Sequence, residues 1–297
     1  MTWISFVIAA GAFLVLGPVL GCLIAGVDRI LSARMQGRVG PPLLQPYYDV
    51  KKLLAKEQKS LNGFQRYYLL LALVTAILSG SFFFAGGNLL LVVFLITLSS
   101  LFFILAAYSA RSPYAEAGAA REIIQVLAYE PMIILMAVFF YLATNSFNTS
   151  AVFSQELPLI ATLPLVFIGL LFILTIKLRK SPFDLSFSHH AHQELVKGIT
   201  TEMSGRNLAL VEIMHWYENV LFMGYVGLFF VWAGPWTLAI AAAAVLIVYF
   251  IEIVIDNSFA RVKWQSMLSW SWAVTLLCTI GSSVLIILFN GFTLGGV

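Results

Sequence analysis

The chain has 297 residues, of which 61% are hydrophobic and only 10% charged. A soluble domain carries about 25% charged residues, so this composition excludes a water-soluble globule and makes lipid the solvent. The net charge of +3 points to no nucleic-acid partner, and the placement of the charges says more than their sum.

Crossing a bilayer takes about 20 apolar residues. Stretches of that kind lie at 3–27, 67–84, 89–110, 123–144, 157–176, 211–233, 235–256 and 267–289. The expected fold is an all-α integral membrane protein of eight transmembrane helices, forming one polytopic domain over 1–297. The first stretch has no basic residue ahead of it, is long for a signal peptide, and meets its first charges, Asp28 and Arg29, only afterwards. It reads as a retained span. The sixth is the least regular, because its first turns hold Glu212, His215 and Glu218. Cys22 and Cys278 lie far apart in apolar stretches and suggest neither a disulfide nor a metal framework.

The basic residues set the orientation. Eight follow the first span, two the third, five the fifth and two the seventh, which accounts for all 17 Lys and Arg. The positive-inside rule then places the four odd-numbered connections in the cytoplasm and both termini outside a cell membrane.

The first basic connection contains "GRVGPP", which breaks any helix. Beyond it Tyr47, Val50, Leu53, Leu54 and Leu61 recur at helical spacing, with Lys51, Lys52 and Lys56 between them. This predicts an interfacial amphipathic helix, which by composition alone would hold anionic lipid. In the second connection Glu116, Arg121 and Glu122 precede a span containing Glu130, directly before Pro131. A carboxylate two turns inside a span is costly and is a functional candidate. Proline there permits a kink.

The third connection reads "KLRKSPFDLSFSHHAHQELVKGITTEMSG", with Pro182 expected to end the fifth span. If 188–196 is helical, His189 and His192 share one face, and His190 and Glu194 another. A structural zinc wants four ligands and no cysteine is near, so no metal site is expected; the histidines suit proton handling or helix capping. Glu212, His215, Glu218 and Asn219 then line one face of the sixth span, and Glu252 and Asp256 stand near the inner end of the seventh. Acids from three spans directed at one leaflet suggest a hydrated cavity opening inward.

The segments "RMQGRVGPPLLQPYYDVKKL", "AREIIQVLAYEP" and "SPFDLSFSHHAHQELVKGITTEMSG" resemble the three cytoplasmic loops of the complex I subunit 1 family. In respiratory complex I that membrane subunit lies beneath the peripheral arm and forms part of the quinone chamber. The resemblance covers nearly the whole chain. One departure is informative: quinone-reducing members carry an acid-rich stretch after PFDL, much like "PEAEAELVAG", where this chain has "SFSHHAHQELVKG". The histidine version is similar to the corresponding subunit of Ech- and Mbh-type energy-converting [NiFe] hydrogenases.

That resemblance implies a membrane anchor and coupling subunit, with ferredoxin-driven H2 formation linked to outward movement of H+ or Na+. The [NiFe] centre and iron–sulfur clusters would sit in partner subunits, since such sites need cysteines this chain lacks. Implied partners are the hydrogenase large and small subunits, an iron–sulfur subunit, an antiporter-like membrane subunit and the bilayer. Ion coupling would fall to Glu116, Glu122, Glu130, Asp184, His189, His190, His192, Glu194, Glu202, Glu212, His215, Glu218, Glu252 and Asp256. Docking of the soluble module would fall to Arg34, Arg38, Gln45, Asp49, Lys52, Arg121 and Asp184. Two other readings stay open: a quinone-chamber subunit of a complex I-like dehydrogenase, and a stand-alone ion transporter. The long inner loops and the lack of an internal repeat weigh against the transporter.

Overall fold

The computed structural model describes the backbone of residues 3–57, 62–183, 185–186, 195 and 197–294. In chain order the helices are α1 (Trp3–Met35), α2 (Gln45–Ala55), α3 (Gly63–Phe84), α4 (Leu89–Tyr108), α5 (Pro113–Thr144), α6 (Leu159–Thr162), α7 (Pro164–Lys177), α8 (Arg206–Leu228), α9 (Thr237–Ser258) and α10 (Trp264–Leu294). Short 3-10 turns occupy Thr149–Ser154 and Gly198–Thr200. Among the described residues there is no strand.

Among the described residues six helices, α1, α3, α4, α5, α9 and α10, are long and apolar enough to cross a membrane. Eight spans were expected, and the other two miss this criterion for different physical reasons. The stretch 157–176 is interrupted where Leu163 leaves the helical region (φ −127°, ψ 50°) ahead of Pro164, as a residue before proline tends to do. Beyond the break runs the 14-residue α7, about 21 Å long against a hydrocarbon core of about 30 Å. It ends at Lys177, short of Pro182. The helix α8 has 23 residues, but Arg206, Glu212, His215 and Glu218 make it too polar.

Helix starts also differ from the charge-based reading. α1 continues through Asp28, Arg29 and Arg34 to Met35. α5 begins at Pro113, a favoured first helical position, rather than at 123. Glu116, Arg121 and Glu122 are therefore helical and not in a loop.

The bundle centres on the α3–α4 hairpin. Ser79 donates to the Val92 carbonyl at 2.9 Å and Ser99 to that of Ala72 at 2.7 Å. Small residues at such contacts let backbones approach, and interhelical hydrogen bonds in membranes contribute about 0.6 kcal/mol on average. α8 and α5 flank the hairpin, α1 lies across α3 and α8, α9 packs on α8, and α10 packs on α5 and α7. α2 rests on α8 and α1, buries Pro46 and Val50, and leaves Tyr47, Tyr48 and Leu54 exposed. The expected amphipathic helix is thus present. Gly118 is required by close approach: a Cβ there would lie 2.3 Å from the Ile199 amide nitrogen, so α5 sits directly on the turn that precedes α8.

Candidate functional site

Because α7 is short, its C-terminus and the four-residue segment "KLRK" fall among the other helices rather than beyond them. Lys177 and Lys180 are buried, and the Arg179 side chain is only 12% exposed. Buried cations need partners, and each of these three finds its own. Lys177 donates to Ser100 on α4 at 3.1 Å, to Tyr129 on α5 at 3.3 Å and to Glu218 on α8 at 3.4 Å. Arg179 donates to Glu122 on α5 at 2.9 Å and, from its other terminal nitrogen, to Nε2 of His215 on α8. Lys180 donates to Asp28 on α1 at 2.8 Å and stands 4.0 Å from Asp256 on α9. The segment 177–180 is therefore a hub tying five helices together.

Aromatic faces complete the hub. Lys177 lies 5.0 Å from the Tyr129 ring centroid, Arg179 5.2 Å from Phe103, and Lys180 5.2 Å from Tyr249. Such cation–π contacts gain strength when desolvated. Arg179 adopts φ 54°, a left-handed conformation that non-glycine residues rarely take. It aims the guanidinium back toward α5 and α8. Burial works against charge on Arg179, but Glu122 and Glu218 outweigh it and hold the guanidinium above its ordinary pKa.

Arginine has only donors and stays protonated, so the His215 Nε2 facing it is the acceptor in that contact.

The hub forms one wall of a cavity of about 1220 Å³ at the basic end of the bundle. Asp28, Arg29 and Arg38 line it from α1 and the residues after it; Glu212, His215 and Glu218 from α8; Tyr249, Asp256 and Asn257 from α9; and Arg261 from the segment beyond. Ser181 fixes the α9 side, its amide donating to Asp256 at 2.8 Å. Gln125 does the same for the PFDL segment, donating to the Phe183 carbonyl at 2.5 Å.

Of the acids read from sequence, Glu212, Glu218 and Asp256 line the cavity, as does His215. Glu122 is buried behind it, bonded to Arg179 and Ser186. Glu252 is buried on α9, and one of its carboxyl oxygens has no hydrogen-bond partner among the described residues. Glu130 is half-buried on α5, about 12 Å along the helix from Glu122, and does not line the cavity. Glu116 is exposed and Glu202 half-buried outside it. Asp184, His189, His190, His192 and Glu194 lie outside the described residues. Among the residues read as docking groups, Arg34, Arg38 and Lys52 are exposed, whereas Asp49 is bonded to Arg29 at 2.5 Å and to Gln45 at 2.8 Å. Arg121 is half-buried.

Sequence reasoning passed over Asp28, Ser100, Tyr129, Lys177, Arg179 and Lys180. The three cations read as markers of the inner side. The available signal was their density: three basic residues in four, at the end of a span, in a chain with few charges.

Residues 7–287 match the family described as NADH dehydrogenase. The chain is 29% identical to formate hydrogenlyase subunit 4 of Escherichia coli K12, over 84% of this chain and 89% of that one. It is 28% identical to hydrogenase-4 component C of the same organism, over 84% and 86%. Against NADH-ubiquinone oxidoreductase chain 1 of Paracentrotus lividus the identity is 27%, over 95% and 94%. In fold it resembles a chain of the membrane-bound sulfane sulfur reductase, an archaeal respiratory membrane complex, with TM-score 0.86 and 23% identity over 95% of this chain and 99% of that one. A match over almost the entire length, spanning the basic-side segments that build the cavity, shows that the chain belongs to the NADH dehydrogenase family, of the complex I subunit 1 type.

Proposed function

We propose that this chain is the membrane anchor and coupling subunit of an energy-converting [NiFe] hydrogenase. Ferredoxin-dependent proton reduction in a soluble module would drive outward movement of H+ or Na+. The observation that carries this reading is the charged lining of the cavity: acids, cations and a histidine from α1, α8, α9 and the 177–180 hub surround it. Such groups give water and protons polar partners along the cavity, between apolar patches such as Val39, Trp216 and Phe259. The similarity to two hydrogenase-complex subunits supports the same reading.

In this reading α7 and α8 are the fifth and sixth of eight crossings of the cell membrane, with the basic end cytoplasmic and both termini outside. The soluble hydrogenase subunits and an iron–sulfur subunit cover the cavity, where Arg34, Arg38 and Lys52 would meet them. An antiporter-like subunit lies alongside. Metals belong to the partners, because Cys22 and Cys278 are buried on separate helices and iron–sulfur clusters are held by sets of thiolates.

The chemistry assigned to this chain is proton handling. A charge change in the module above would reach the Glu122–Arg179–His215 group first. If Arg179 moved, His215 Nε2 would become available to a proton from the cavity. Glu218, on the same helix, would remain paired with Lys177. The coupling acids proposed from sequence, including Glu130, and the histidines 189, 190 and 192 complete the set.

Gentle purification of the tagged chain tests the assignment. Hydrogenase large and small subunits should accompany it, and the assembly should evolve H2 from reduced ferredoxin. Co-purification of a quinone-reducing dehydrogenase would establish the other reading, and a chain that moves ions with no partner would establish the transporter.

A further inference from the structure

We propose that the corner formed by the start of α3 and the end of α4 is a binding surface for the headgroups of anionic phospholipids. Two helix faces carry the idea. On α3 the exposed residues Tyr67, Leu71, Val74 and Leu78 recur at three- and four-residue intervals, as one face of a helix requires. On α4 Leu98, Leu101, Leu105 and Tyr108 do the same. Each apolar stripe ends at the basic side in exposed aromatic rings with an arginine beside them: Phe64 and Tyr67 flank Arg66, and Tyr108 precedes Arg111.

The two ends converge. Asn62 caps α3 through its side-chain oxygen and donates to the Ser109 carbonyl at 3.2 Å, which holds the first turn of α3 against the last of α4. Gln65 accepts from Asn207 at 2.9 Å, and Gly205 packs closely on the Glu57 carbonyl. The corner is thus continuous with the end of α2 and its exposed lysines 51 and 56.

Arg66 and Arg111 are exposed, and neither makes an ion pair or hydrogen bond with a protein side chain among the described residues. The acids Glu57 and Glu116 are exposed at the same end and pair with neither. Exposed cations among aromatic rings, at the end of an apolar stripe, match the headgroup, interface and hydrocarbon zones of one leaflet. Tyrosine belongs at headgroup depth, and each interfacial Lys or Arg attracts anionic lipid. A soluble partner would meet the cations from above but would not explain the stripes beneath them. None of these residues lines the cavity, so the proposal does not depend on the hydrogenase reading.

The test compares lipid retained by the purified complex after equilibration in nanodiscs containing equal phosphatidylcholine and phosphatidylglycerol, read by native mass spectrometry. Wild type should retain phosphatidylglycerol preferentially. Arg66→Gln with Arg111→Gln should reduce that preference by roughly fivefold or more, while Arg66→Lys with Arg111→Lys should keep it. The single Arg111→Gln change should give an intermediate result and serves if the double variant does not assemble. Equal retention of both lipids by wild type would overturn the proposal, as would an unchanged preference in the Gln variants. Loss of a protein subunit with lipid preference intact would assign the corner to a protein partner instead.

Discussion

Arg179 reaches Glu122 at 2.9 Å across 57 positions of sequence, from a left-handed backbone position at the foot of α7. Glu122 is 2% exposed and the Arg179 side chain 12% exposed. Breaking a buried pair by removing one partner costs about 3–5 kcal/mol, because the other charge is left behind. Glu122→Ala and Arg179→Ala should each lower the thermal stability of the purified complex markedly. The double neutral variant Glu122→Gln/Arg179→Gln should recover part of the loss. Single variants as stable as wild type in a thermal shift assay would show that the pair does not hold α5 to the hub.

Lys177 presents the same logic one turn deeper. Its ammonium serves Ser100, Tyr129 and Glu218. Lys177→Met keeps the stem and its packing but leaves Glu218 unpaired. The expected cost is again about 3–5 kcal/mol, and Glu218→Gln added to it should restore assembly. A double variant no better than the single one in a mutant cycle would mean that Lys177 and Glu218 are not energetically coupled.

Glu130 lies beyond both groups on α5, with Pro131 next to it inside a continuous helix. No ion pair or hydrogen bond to the Glu130 side chain occurs among the described residues. Glu130→Gln keeps shape and hydrogen bonding but cannot titrate. It should leave the complex assembled and evolving H2 in detergent, while ion translocation in vesicles falls about tenfold or more, the scale of losing a positioned proton-transfer group. Loss of assembly would give Glu130 a structural role. Full translocation with glutamine would remove it from the coupling path.

Membrane orientation is open to direct chemistry. Cys22 and Cys278 are buried, so they provide a quiet background for added thiols. Ser150→Cys, in the short turn after α5, should react with an impermeant maleimide added to intact cells. Arg34→Cys, at the basic end, should react only after the membrane is opened. The opposite pattern would invert the topology.

The apolar spans were legible because nothing but lipid explains so many uncharged runs. Their ends were not. Charge ordinarily marks where a helix leaves the membrane, yet α5 carries Glu122 inside the bundle because Arg179 arrives from a distant segment to meet it. The break at Leu163–Pro164 was hidden for the opposite reason: both sides of it are apolar, so hydropathy runs straight through. At the site, the spacing of Glu212, His215 and Glu218 correctly put them along one face. Lys177 and Arg179, which meet Glu218 and His215, and Lys180, which meets Asp28, could not be assigned from spacing, since only the shortness of α7 brings them inside. Ser100 and Tyr129 gave no signal, because isolated hydroxyls are common in membrane helices.

The proposed coupling of redox work above the cavity to ion movement through this membrane subunit can be read most directly in inverted membrane vesicles holding the complete complex and supplied with reduced ferredoxin. H2 evolution should be accompanied by accumulation of H+ or Na+ in the vesicle lumen, and Glu130→Gln should separate the two. H2 evolution by wild type with no ion accumulation, or quinone reduction in place of H2, would contradict that proposal.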